Sequence, residues 1–68
     1  MNIKVNIISQ NKIKNINIDY NSKVIDLLKK INLKPDIVIV LRDNTPIPVD
    51  EQLENNEKIS IIEVSSGG

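Results

Sequence analysis

The stretch VIDLLKKI, residues 24–31, does most to constrain the fold, because its apolar residues Val24, Leu27, Leu28 and Ile31 fall at i, i+3, i+4 and i+7, one face of a helix. On either side of it the apolar period drops to two or the residues run β-branched, which is strand patterning. A chain with one amphipathic helix among strands can cover one face of a small sheet and no more. Its architecture is therefore an α+β two-layer sandwich.

The strands can be placed from their periods. NIKVNII sets Ile3, Val5 and Ile7 against Asn2, Lys4 and Asn6, and predicts a first strand near residues 2–9. After the polar break SQNK, a second strand is expected near 13–19, paired with the first as an antiparallel hairpin. Ile13 is out of phase with Ile16 and Ile18, which implies a bulge or a short register there. DIVIVL predicts a strand near 37–42, and ISIIEV another near 58–64. Between them, PIPVDEQL reads as a short proline-bounded edge strand followed by a helical turn anchored by Leu53. The sequence thus reads ββαββ, a four-strand mixed sheet whose first and last strands are parallel neighbours joined by a crossover.

The helix is expected near 22–32, with Ser22 as its N-cap. Asn32 stands where a left-handed C-cap usually takes glycine, Leu33 can fold back on the helix, and Pro35 stops its continuation. Asp43 and Asn44 are suited to a tight hairpin turn, since both tolerate positive φ.

At 68 residues the chain makes one small domain, residues 1–64, followed by a flexible tail, 65–68. It contains no cysteine and no histidine, which removes disulfides, thiolate nucleophiles and imidazole ligands or proton shuttles. No cofactor is implied. The opening MNIKVNIISQ lacks the apolar core of a signal peptide, and no stretch approaches a membrane span, so a cytoplasmic protein is expected.

Charge is divided along the chain. Residues 1–36 hold seven lysines against Asp19, Asp26 and Asp36, while the remainder has only Arg42 and Lys58 against six carboxylates. With no basic surplus and Tyr20 as the sole aromatic, neither nucleic-acid binding nor membrane association is expected. The acidic group Asp50, Glu51, Glu54 and Glu57 reads as a solvated turn in which Asp50 favours a helical N-terminus.

Gly67 and Gly68 are the only glycines in the chain, and both stand at its end. At ordinary usage of about 7%, roughly five would be expected. Ten asparagines take over the turns, notably Asn32, Asn44 and Asn56, which leaves the terminal pair to serve something asparagine cannot supply. That property is the missing Cβ, which leaves the Gly68 carboxylate unhindered and lets the backbone pass a narrow channel. Ser65 and Ser66, small and polar, extend the last strand into an arm that can reach another protein's active site.

With its ββαββ order, the helix ending LLKKINLKP, the hairpin VLRDNTPIP, the segment QLENNEKISIIEV and the terminal SSGG, the chain resembles the β-grasp sulfur-carrier family. That family includes the thiamine-thiazole sulfur carrier, the small subunit of molybdopterin synthase and the archaeal ubiquitin-like small modifiers. The resemblance implies a ubiquitin-like β-grasp packed on one main helix. It also implies that a ubiquitin-activating-type adenylating enzyme, which itself binds ATP, activates Gly68, with Gly67 beside it. A downstream sulfur-transfer enzyme then takes a thiocarboxylate, or target-protein lysines take the carboxyl group. The family's usual hairpin glycines are Asn44 and Asn56 here, a difference that concerns turns and not the tail.

Such a chain is a substrate and carrier for other enzymes, not a catalyst. Its partner surface is expected where apolar residues occupy both faces of a strand: IVIVL, and ISIIEV with Ile59 and Ile61 of one parity and Ile62 and Val64 of the other. The partner-binding residues expected are Ile62, Val64, Ser65 and Ser66, and a buried Ile62 would move the patch to the opposite parity. A competing class is a non-covalent β-grasp interaction module in which the tail is incidental.

Overall fold

A computed structural model describes residues 1–64. Five strands form one sheet: β1 (Asn2–Ile7), β2 (Lys12–Asn17), β3 (Val38–Arg42), β4 (Thr45–Pro46) and β5 (Glu57–Glu63). The helix α1 (Val24–Lys30) lies between β2 and β3 in the chain. Strand order is β2-β1-β5-β3-β4, with β1 and β5 parallel and the other pairs antiparallel. The parallel pairing of the first and last strands is as the sequence predicts. The expected four strands become five because the proline-bounded edge segment pairs with β3.

The core lies between α1 and one face of the sheet. Ile3, Val5 and Ile7 of β1, Ile59 and Ile61 of β5, and Val40 of β3 meet Val24, Leu27 and Leu28 of the helix, all buried. No aromatic ring takes part, so the interior is filled by branched aliphatic volume. Truncating one such side chain, for example Leu28→Ala, costs about 2–5 kcal/mol, a large share of what a domain this small can hold.

Several local expectations are corrected. The β1–β2 register runs unbroken from Asn2↔Asn17 to Ile7↔Lys12, so there is no bulge. Ile13 pairs with Asn6 and stands on the opposite face from Ile16, 66% exposed: the phase conflict is resolved by solvating one isoleucine, not by inserting a residue. β1 stops at Ile7 because residues Ile8–Gln10 wind into a single 3₁₀ turn, closed by Asn11 at φ 53°. A second 3₁₀ turn, Pro35–Ile37, delays β3 to Val38.

The helix is shorter than its periodicity, and Ser22 does not cap it. The cap position is Lys23, whose backbone N–H is accepted by the Asp26 side chain at 2.9 Å. The first free amides of the helix go elsewhere: Val24 N–H donates to the Glu51 carbonyl (2.9 Å) and Ile25 N–H to the Val49 carbonyl (2.8 Å). Leu53 N–H donates in turn to the Ser22 carbonyl at 2.9 Å. A single turn at residues 49–50, closed by the Glu51 N–H donating to the Pro48 carbonyl, leads into a short extended stretch, 51–53, against the start of α1, and the expected helical turn there does not form. Its backbone groups are already committed to the helix. Leu53 is nonetheless the buried anchor that the sequence suggested.

The other end of α1 follows expectation. Asn32 has φ 64°, its N–H donates to the Lys29 carbonyl, and Leu33 N–H reaches back to the Leu28 carbonyl at 2.9 Å, the two bonds of a Schellman cap. Leu33 then packs against the core. Among the described residues, all six with positive φ are Asn or Asp: Asn11, Asn21, Asn32, Asp43, Asn44 and Asn56. Asp43 and Asn44 form the two-residue β3–β4 turn with both φ values positive, which matches the twist of a hairpin.

Candidate functional site

β5 sits in the middle of the sheet, and its alternation assigns a different job to each face. On the helix side, Ile59 and Ile61 are fully buried. On the open side, Ile62 lies directly across from Ile39, and Ser60 from Leu41. Ile62 and Leu41 are half-buried, while Ile39 is 40% exposed. These three aliphatic side chains form a contiguous apolar strip that no helix covers.

Val64 follows β5 on the same parity as Ile62 and is 39% exposed. Its N–H donates to the Ile37 carbonyl at 2.7 Å, so backbone pairing with the β3 side reaches one residue beyond the strand. The structure thus places Ile62 and Val64 on one face at the end of the described residues. Ser65, Ser66, Gly67 and Gly68, and with them the boundary of the tail at 65–68, lie outside the described residues. Ile39 and Leu41 are additions to the predicted surface. Their signal was legible in IVIVL, where both parities are apolar, but which parity faced outward depended on the β3–β5 register.

The open face turns polar toward β1. Lys4 and Lys58 are paired across β1 and β5, followed by Asn6 opposite Ser60. Apolar residues therefore crowd the β3 side of this face and cationic and amide side chains the β1 side.

The acidic group does not behave as a solvated turn throughout. Arg42, at the end of β3, hydrogen bonds to Glu57 through both Nε and a terminal nitrogen, to Glu51 at 2.7 Å, and to the Gln52 carbonyl at 2.9 Å. The Glu57 side chain is only 8% exposed and also accepts the Glu54 N–H at 2.7 Å. Hydrogen bonding to Glu57 raises the Arg42 pKa above its already high ordinary value; burial opposes that, and Glu51 adds to it. Asp50 lies in an exposed turn and starts no helix. Among the described residues no group of three His, Cys, Asp or Glu side chains could hold a metal ion, and no helix is long and apolar enough to cross a membrane.

A mixed sheet in the order β2-β1-β5-β3-β4, crossed on one face by a single helix, makes this a ubiquitin-like β-grasp protein. The chain belongs to the small archaeal modifier protein 2 family, whose model matches residues 1–64. It is similar in fold to SAMP1 from Haloferax volcanii, with a TM-score of 0.74 over 100% of both chains and 15% sequence identity. It is also 37% identical over 43 residues to an uncharacterized protein of Archaeoglobus fulgidus, a match that covers 63% of this chain and 63% of that relative's length.

Proposed function

We propose that the chain is a sulfur carrier or ubiquitin-like modifier whose Gly68 carboxylate is adenylated by a ubiquitin-activating-type enzyme. The carboxylate oxygen attacks the α-phosphorus of ATP bound by that enzyme and pyrophosphate leaves. Attack on the acyl-adenylate by a sulfide-level donor gives a thiocarboxylate and AMP, whereas attack by a lysine amine gives an isopeptide and AMP. Gly67 and Gly68 present no Cβ to obstruct either nucleophile. Ser65 and Ser66, small and polar, serve as the arm that reaches the partner's active site, and Ile62 and Val64 supply the docking surface next to it.

The observation that carries this reading is the position of β5. It lies centrally in the sheet, and its last residues, with Val64 after them, stand beside the uncovered strip of Ile39, Leu41 and Ile62. A docked enzyme thereby gains an apolar foothold within a few residues of the carboxylate. Membership of a small-modifier family supports the same role.

Intact-mass analysis of the protein purified from its own cells, after ATP-dependent adenylation has been assayed in their extract, tests it. One oxygen exchanged for sulfur at the C-terminus, or Gly68 joined to a lysine of another protein, is the expected result. An unmodified terminus together with no ATP-dependent adenylate would leave the non-covalent interaction module as the correct class.

A further inference from the structure

β1 and β5 run side by side only as far as Ile7 and Ile61, because β1 then winds into the 3₁₀ turn at Ile8–Gln10. Alternation along β5 directs the Val64 N–H toward β3, so the Glu63 N–H points to the side that β1 has vacated. It is not left unpaired. The Ser9 hydroxyl oxygen accepts it at 3.3 Å, and the Ser9 hydroxyl donates to Glu63 Oε1 at 3.5 Å. Gln10 Nε2 donates to the same Oε1 at 2.6 Å. A side-chain latch thus replaces the missing strand and packs the turn against the end of β5.

We infer that Ser9, Gln10 and Glu63 are positioning residues for delivery of the carboxylate: they keep β5 anchored on its β1 side through Glu63, as the Ile37 carbonyl anchors it on its β3 side through Val64. This inference rests on the carrier reading above. Without the latch, residues 63 and 64 would hinge on β3 alone, and the direction in which the chain leaves the sheet would spread. The apolar strip at Ile39 and Ile62 would be unaffected, so docking would persist while fewer docked molecules present Gly68 to ATP. The latch therefore acts on turnover and not on binding.

The test uses full-length protein, the adenylating enzyme of the same organism, and ATP–pyrophosphate exchange. Glu63→Ala is expected to lower kcat about fivefold with KM within about twofold, since misorientation of a reacting group is a turnover effect. Glu63→Gln retains the Oε1 acceptor and is expected to restore kcat. In parallel, Ser9→Ala should speed hydrogen exchange of the Glu63 amide about tenfold while core amides such as that of Ile59 keep their protection. Wild-type adenylation with an unchanged kcat for Glu63→Ala, a change in KM alone, or an unaltered Glu63 amide overturns the latch and leaves the carrier reading intact. A wild-type protein that is never adenylated overturns both.

Discussion

Arg42 and Glu57 close the sheet from opposite ends of neighbouring strands, the last residue of β3 gripping the first of β5 through two of its guanidinium nitrogens. The pair differs in kind from the contact of Arg42 with Glu51, whose side chain is 40% exposed. Arg42→Met strands the Glu57 carboxylate in a nearly closed site, and a loss of about 2–3 kcal/mol is expected, between that of a surface pair and that of a fully buried one. Glu51→Ala should cost less than about 1 kcal/mol. The double variant Arg42→Met/Glu57→Leu should recover most of the loss, because no buried charge is then left without a partner and the exposed Glu51 carboxylate is solvated. Urea denaturation of the three proteins checks the order. Since the pKa of Arg42 is raised by its hydrogen bond to Glu57, its contribution is fully present below the ordinary guanidinium pKa and is lost only at more alkaline pH, so the Arg42→Met deficit should be the same at pH 7 and pH 10.

The left-handed asparagines make a prediction of opposite signs at one position. Asn32→Gly removes the Cβ penalty at φ 64° and should stabilise, whereas Asn32→Ala should destabilise by about 1 kcal/mol. Asn44→Gly should likewise stabilise the β3–β4 turn. For a domain of this size, 1 kcal/mol moves the melting temperature by about 4–8 °C, well within reach of a thermal melt.

Ile62 separates docking from folding. It lies on the open face opposite Ile39, so Ile62→Glu sacrifices a cross-strand contact of about 0.2–1 kcal/mol and leaves the helix-covered core intact. The expected outcome is a folded protein whose KM for the activating enzyme rises about tenfold, equivalent to about 1.4 kcal/mol. A normal KM in a protein with an unaltered circular dichroism spectrum would remove Ile62 from the docking surface.

The terminal glycines give the converse separation. Deleting Gly68, or adding a residue after it, should abolish adenylation, and Gly67→Val should impair it, because a β-branched side chain crowds the channel and stiffens the backbone beside the reacting carbonyl. β5 ends at Glu63, so melting temperatures should stay within about 3 °C of the parent protein, as for substitutions that remove no packing. Undiminished adenylation of Gly67→Val, or a steep loss of stability on removing Gly68, would assign the glycines another purpose.

What could be read in the sequence was what depends on neighbours in the chain. The helix face of Val24, Leu27 and Leu28, the alternation of Ile3, Val5 and Ile7, and the left-handed Asn32 and Asn44 are all set by local period or local backbone preference. Ser22 was misjudged because the amides it was expected to cap are taken by carbonyls of Val49 and Glu51, more than twenty residues away. Arg42 with Glu57 and Ser9 with Glu63 are likewise distant in the chain, with no periodic signature. Ile13 shows a further limit: an apolar residue out of phase can mean a bulge or merely a solvated isoleucine, and the edge position of β2 allowed the latter.

The placement of β5 also governs when the molecule becomes a molecule. Among the described residues it is the last strand in chain order, yet it is the strand that joins the β1–β2 hairpin and the β3–β4 hairpin into one sheet. Until β5 inserts, the two halves have no shared sheet, and Ile59 and Ile61 are missing from the apolar face beneath α1. Long-range closure of this sort is slow and cooperative, because loop entropy is lost before the non-local contacts form. A chain broken before residue 57 lacks the strand that joins the two hairpins as well as the terminal glycines. On the carrier reading proposed above, the strand that leads to Gly68 is also the keystone, and an enzyme that reads the sheet surface and the terminal residues together would accept only finished copies.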